Sequence, residues 1–210
     1  MSERFNVDVD DVIGSSYYVT SLTSSSYNPN IDGTVTVTVN LKDVYGDNVS
    51  GASVTVTASS GTFTQLNGSN ITAAASVTGT TNASGTFTLT YKCSEWGLIT
   101  FTANQTTTQI RVSGWREVTL TDTYGTLYVN GAERLADFSY YRTNFNLSSS
   151  TTTVSSGIIP SSYRPPDGCV VPLFNSTMGG NISGTSGDFS VNTSSTGSGK
   201  TINAHAVWRY

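Results

Sequence analysis

Strict two-residue alternation is the feature that most limits what this chain can fold into. It runs through Thr34-Val35-Thr36-Val37-Thr38-Val39, through Val54-Thr55-Val56-Thr57 and through Thr86-Phe87-Thr88-Leu89-Thr90-Tyr91. Successive side chains on a strand point to opposite faces, so one set must meet a core and the other must meet water. Apolar residues at helical spacing are almost absent. Threonine is β-branched and polar, which suits the wet face of a sheet. Composition agrees: 31 Ser and 34 Thr make up nearly a third of the 210 residues, while only 11% are charged. The surface draws its polarity from hydroxyls.

Breakers fall at short, even spacing: Tyr45-Gly46-Asp47-Asn48, Asn67-Gly68, Ala83-Ser84-Gly85 and Glu95-Trp96-Gly97. Short strands between such turns indicate a sandwich. Strands are expected near 17–23, 33–41, 52–58, 70–77, 86–92, 98–104 and 108–113, forming one Ig-like β-sandwich over residues 15–113. Ser113-Gly114 marks a boundary. Beyond it, strands are expected near 116–121, 126–129, 133–141, 143–148, 169–174, 180–184, 187–192 and 201–209, with a hairpin signal at Asn130-Gly131. Four of the five prolines lie between Pro160 and Pro172, so that stretch reads as a stiffened connection. The fold class is therefore all-β, with a second β-sandwich, jelly-roll-like, over residues 114–210. The acidic first 14 residues are left as an N-terminal anchor segment.

Several classes are excluded on the same grounds. A formal charge of −4 with no basic run argues against nucleic acid as a partner. No apolar stretch approaches the roughly 18 residues of a spanning helix, so no membrane insertion is expected. The 8 Phe, 11 Tyr and 3 Trp supply a core, which argues against disorder. With one histidine and two cysteines, an ordinary N/S metal site lacks ligands, and no cofactor is expected. Cys93 and Cys169 are expected as free thiols. The start, Met1-Ser2-Glu3-Arg4-Phe5-Asn6-Val7-Asp8-Val9-Asp10-Asp11, lacks the basic and apolar regions of a secretory signal. Hydroxyl-rich β surfaces are typical outside cells. A virion protein, made in the host cytoplasm and exposed on the particle, reconciles the two.

Two stretches carry resemblances. The run Val35-Thr36-Val37-Thr38-Val39-Asn40-Leu41-Lys42-Asp43-Val44-Tyr45-Gly46-Asp47-Asn48-Val49-Ser50-Gly51-Ala52-Ser53-Val54 resembles the bacterial Ig-like repeats of invasin- and intimin-type adhesins. Thr81-Asn82-Ala83-Ser84-Gly85 is similar to their Thr-Asp-x-x-Gly turn, and Gly97-Leu98-Ile99-Thr100-Phe101-Thr102-Ala103 to their next strand. The resemblance implies a stalk or spacer module. In the second half, Gly157-Ile158-Ile159-Pro160-Ser161-Ser162-Tyr163-Arg164-Pro165-Pro166, a Gly-turned strand pair and a terminal strand ending in Tyr resemble the C-terminal heads of phage tail and baseplate proteins. That resemblance implies a homotrimer whose heads touch the host surface.

Chemistry-bearing candidates are few. Ser198-Gly199-Lys200-Thr201 ends like a phosphate loop, but the first Gly is missing and no helix follows, so it reads as a polar hairpin turn. His205 has no serine marked as a nucleophile, and it reads as structural or interfacial. The carboxylates Glu117, Asp122, Glu133, Asp137, Asp167 and Asp188 read as solvated or turn-capping groups, as do Asp8, Asp10 and Asp11. Asn-x-Ser/Thr triplets at Asn48, Asn67, Asn70, Asn82, Asn104, Asn146, Asn175, Asn181 and Asn192 are taken as unmodified. The strongest functional signal is aromatic: Tyr140, Tyr141, Tyr163, Trp208 and Tyr210, with Arg164, are the candidates for receptor or glycan contact. Tyr140 and Tyr141 are adjacent, so one ring points in and the other out. The expected function is a non-enzymatic virion surface protein whose head binds host-cell surface glycan or protein, with residues 1–14 meeting other virion proteins. A capsid-decorating protein is the alternative. A surface-polysaccharide-degrading enzyme, which would need a close carboxylate pair in a cleft, comes third.

Overall fold

The structure is a computed structural model and describes residues 17–147, 151–174, 178–193 and 197–210. The anchor segment expected over residues 1–14, the acidic group Asp8, Asp10 and Asp11 within it, and Asn175 lie outside those residues. Strands account for 63% of the described residues and no α-helix occurs among them, as the alternation requires. The chain divides between Ser113 and Gly114 into two compact units.

The first unit holds β1 (Tyr17–Ser24), β2 (Thr34–Asp43), β3 (Ser53–Ala58), β4 (Thr62–Leu66), β5 (Ser69–Ala74), β6 (Ser76–Thr80), β7 (Thr86–Lys92), β8 (Gly97–Ala103) and β9 (Thr106–Val112). One sheet has the order β1-β2-β7-β4-β5 and the other β6-β3-β8-β9, with all named pairs antiparallel. Strands 1, 2, 7 and 4 over strands 3, 8 and 9 reproduce the Ig-like arrangement, with β5 and β6 added at the edges. Alternation builds the core directly. Val35, Val37, Val39 and Leu41 of β2 are buried, as are Phe87, Leu89 and Tyr91 of β7, and they face Val54, Val56, Ile99 and Phe101 of the other sheet. Phe63, Tyr91 and Phe101 meet as a ring cluster, Tyr91 edge-on to Phe101 at 4.9 Å between centroids. The Tyr91 hydroxyl is satisfied by donating to the Ser60 carbonyl at 2.8 Å. Outward threonines pair laterally, Thr55 with Thr78 at 2.8 Å.

The strand expected over 70–77 is in fact two. β5 returns from β4 through Asn67-Gly68, both at positive φ (49° and 80°), as a two-residue hairpin requires. The chain then crosses to the opposite sheet, where β6 pairs with β3. β5 shows no in–out alternation in its burial, so periodicity could not separate the two strands, and β4 went unseen for its brevity.

The second unit holds β10 (Arg116–Val118), β11 (Gly125–Asn130), β12 (Leu135–Leu147), β13 (Thr151–Ser155), β14 (Cys169–Val171), β15 (Met178–Ile182), β16 (Phe189–Thr193) and β17 (Gly197–Arg209). Its sheets run β10-β11-β12-β17 and β13-β16-β15-β14, the latter a Greek-key order. Phe138 and Tyr140 of the first sheet meet Phe189 of the second at 5.6 and 5.1 Å between centroids, so the rings fill the space between sheets. Two strands expected over 133–141 and 143–148 form one long strand, β12, bent by register shifts after Arg142. Ser198-Gly199-Lys200-Thr201 lies within β17, a strand rather than the expected turn, and the phosphate-loop likeness ends there.

The proline-rich connection straps one end of this sandwich. Ile158 and Ile159 are buried, and a short 3-10 turn, Ser161–Tyr163, follows Pro160. The backbone carbonyl of Gly187 (φ +73°) accepts from the Ile159 N–H at 3.1 Å, and any Cβ there would lie 2.4 Å from the Ile159 carbonyl oxygen. Glycine is required at that contact.

Candidate binding face

The six residues singled out from the sequence do not converge. Tyr140 is 1% exposed, and its ring packs against Phe138 and Phe189. Burial pushes its phenol up to about 12, and the hydroxyl donates to Asp122 at 3.2 Å. Trp208 is 8% exposed and packs beside Phe138, while its indole N–H donates to the Tyr163 carbonyl at 2.7 Å. Tyr163 and Tyr210 are half-buried and stack edge-on at 5.1 Å. Burial, with Tyr163 beside it, raises the Tyr210 phenol. Arg164 is spent inside the strap, donating to the carbonyls of Ile159 at 3.0 Å and Thr185 at 2.5 Å. Those five side chains hold the unit together. Tyr141 alone points outward, 58% exposed.

Tyr141 belongs to the outer face of the sheet β10-β11-β12-β17, and the strand register shows what surrounds it. Tyr128, Asp137 and Val207 stand in one row, with Glu117 beyond Tyr128. Thr126, Ser139 and His205 form the next row. Tyr141 and Asn203 form a third, one residue pair further along the face. Residues 172–174 then lie along the free edge of β17. Leu173 bridges Ala204, the Phe174 N–H donates to the Asn203 carbonyl at 2.9 Å, and the His205 N–H donates to Pro172. Phe174 is thus the third member of the Tyr141–Asn203 row, and it is 67% exposed.

Why this face is wet follows from parity. On β17, Ile202, Ala204, Ala206 and Trp208 are buried, so Asn203, His205, Val207 and Arg209 must face out. On β12, Ala136, Phe138 and Tyr140 are buried, which turns Asp137, Ser139 and Tyr141 outward. Neighbouring strands lie about 4.8 Å apart, so Tyr141 and Phe174 flank Asn203 with roughly 10 Å between their backbones. His205 and Asp137 meet diagonally, Nε2 to Oδ1 at 2.9 Å, which ties the imidazole to the neighbouring strand β12.

Two of the other carboxylates, Asp122 and Asp188, are occupied locally. Asp122 accepts from the Tyr124 N–H at 2.8 Å as well as from Tyr140. Asp188 accepts from the Gly157 N–H at 2.6 Å, and this bond, then one from Ser186, holds its carboxyl below the ordinary range. Among the described residues no group of three or more His, Cys, Asp or Glu gathers to hold a metal ion. Cys93, buried in the first unit, and Cys169 in the second are free thiols, and burial raises both. Sequence reasoning missed Tyr128, Asp137, Asn203, His205, Val207 and Phe174 as one surface. Parity marks them as outward, but only the pairing of β12 with β17 sets them side by side.

The fold and this face define the chain as an all-β protein of two antiparallel sandwiches, the first Ig-like, with an exposed aromatic and polar sheet face on the second. No protein-family model matches the sequence, and no curated protein matches it at a significant level. Among solved structures it is similar to domains 4 and 5 of the S-layer protein SbsC, at 19% identity over 46% of this chain and 52% of that one, TM-score 0.28. It is also similar to the Yersinia pseudotuberculosis adhesin InvE, at 15% identity over 90% of this chain and 58% of that one, TM-score 0.34. A third is the collagen adhesin of S. aureus, at 14% identity over 91% of this chain and 96% of that one, TM-score 0.30. The chain spans about half the length of the first two structures. Scores this low carry no argument about this protein, and nothing in them bears on the phage-tail resemblance of residues 115–210.

Proposed function

We propose that this is a non-enzymatic surface protein of a virion, whose second unit binds host-cell surface glycan through the outer face of β10-β11-β12-β17. The observation that carries the binding role is the row Tyr141–Asn203–Phe174, two exposed rings with an exposed amide between them. The apolar face of a pyranose packs on such a ring, whose π-cloud favours polarised C–H groups, and neighbouring amides and hydroxyls orient the sugar hydroxyls. The virion assignment rests on the sequence resemblance of residues 115–210 to phage heads. The first unit serves as the stalk, its outer faces offering threonines. Single shallow sites bind weakly, so a homotrimer is part of the proposal, since linked copies gain avidity by orders of magnitude.

The test uses the full chain, fluorescently labelled, on an array of bacterial cell-surface polysaccharides and on candidate host cells. Tyr141→Ala and Phe174→Ala each weaken capture at least tenfold while leaving thermal unfolding unchanged. Undiminished capture by the double variant would exclude this face. Light scattering on the purified chain should give about three times 22.2 kDa; a monomer at micromolar concentration refutes the trimer.

A further inference from the structure

The layout of the face also bears on which part of a glycan it takes, an inference that rests on the binding role just proposed. The exposed rings occupy its two ends along the strands. Tyr128, 41% exposed, stands in the Asp137 row, and Tyr141 lies four residues further along β12. At about 3.4 Å per residue these positions are roughly 13 Å apart along the strand direction. Between them lie only hydrogen-bonding groups of modest size: Thr126, Ser139 and His205, with Asp137 and Asn203 at either side. One sugar ring, about as wide as a single strand spacing of ~5 Å, cannot reach both ends. Several linked sugars can, with the outer ones on the rings and the inner ones over the polar row.

Charge narrows the class. The ionisable groups of the face are Glu117 and Asp137 against Arg209 and His205, and Asp137 is already paired with His205. Two carboxylates stand against one guanidinium, with His205 charged only when protonated, so the face holds no excess of positive charge to attract a uronate- or sialate-bearing chain. Among the described residues no wall encloses this sheet surface, as recognition of a chain terminus requires, because a terminal sugar is told from an internal one by contacts that block its extension.

We infer that the outer face of β10-β11-β12-β17 recognises the interior of an uncharged polysaccharide, engaging at least three consecutive sugars from the Tyr141–Phe174 row to Tyr128.

Calorimetric titration of the full chain with cello-, malto-, laminari- and manno-oligosaccharides, from disaccharide to octasaccharide, provides the test, alongside oligogalacturonates and oligosialates. The expected result is a neutral ladder whose affinity rises tenfold or more between disaccharide and tetrasaccharide and then levels off, with little dependence on salt. Tyr128→Ala should remove that length gain yet keep disaccharide binding, whereas Tyr141→Ala should weaken every member. Binding that is independent of length, restricted to the acidic ladders, or unaffected by Tyr128→Ala overturns this inference while leaving a glycan-binding face. Failure of every ladder, neutral and acidic, overturns the glycan reading itself.

Discussion

Replacing Trp208 separates a structural aromatic from a binding one. The residue is on the terminal strand and, by sequence, is as attractive a contact residue as Tyr141. In the structure it is 8% exposed, lies 6.4 Å from the Phe138 ring and donates its indole N–H to Tyr163 at 2.7 Å. Trp208→Ala therefore opens a core cavity and leaves the Tyr163 carbonyl without its donor. Truncating a buried Trp costs about 3–5 kcal/mol. A unit of this size loses roughly 4–8 °C of melting temperature per kcal/mol, so the transition of residues 114–210 should fall by roughly 12–40 °C. Trp208→Phe keeps most of the packing and loses the hydrogen bond, about 1 kcal/mol, and should melt between the two. Tyr141→Ala removes an exposed ring and should stay within about 0.5 kcal/mol of the parent. Scanning calorimetry of the full chain, with near-ultraviolet circular dichroism to follow the aromatic packing, measures all three. If Trp208→Ala melts within roughly 4 °C of the parent, the indole is not part of the core, and the assignment of the terminal strand's faces is wrong.

Further consequences can be checked on the same protein. Gly187→Ala should destabilise the second unit by about 1–3 kcal/mol, because the new Cβ meets the Ile159 carbonyl in a left-handed backbone, and calorimetry decides it. Cys93 should resist alkylation in native buffer, and both thiols should label once the chain is unfolded without reductant; loss of labelling would reveal a disulfide. Burial pushes the phenols of Tyr91 and Tyr140 up to about 12, above the value near 10 that the unfolded chain presents. The folded state thus keeps two protons that the unfolded state gives up first. Their stabilisation is complete below about pH 10 and is lost as pH rises toward 12, so alkaline titration should unfold the chain over that window. All eleven phenols, the buried pair included, ionising reversibly near pH 10 with circular dichroism unchanged would contradict this.

Much of the architecture was legible because side-chain alternation and burial are the same fact seen twice. Val35, Val37 and Val39, or Ala204 and Ala206, announce their faces with no knowledge of partners, and the turn at Asn67-Gly68 announces its hairpin. The strands that escaped, β4 and β13, are short, and the break between β5 and β6 escaped because β5 lacks an apolar face to declare. Function was less legible. Five of the six candidate side chains proved to be core or strap residues, since a Tyr or Trp has the same letter whether its ring faces Phe189 or water. What the sequence by itself determined is the two-residue period, the all-β class and the parity of each long strand. Only the tertiary structure decided the register of β12 against β17 and the lodging of residues 172–174 on its edge. Those contacts are non-local, joining residues about 30 to 70 positions apart, and no local pattern encodes them. They bring Tyr141, Asn203 and Phe174 into one row, while the same folding buries Tyr140 and Trp208 a single residue away from exposed neighbours.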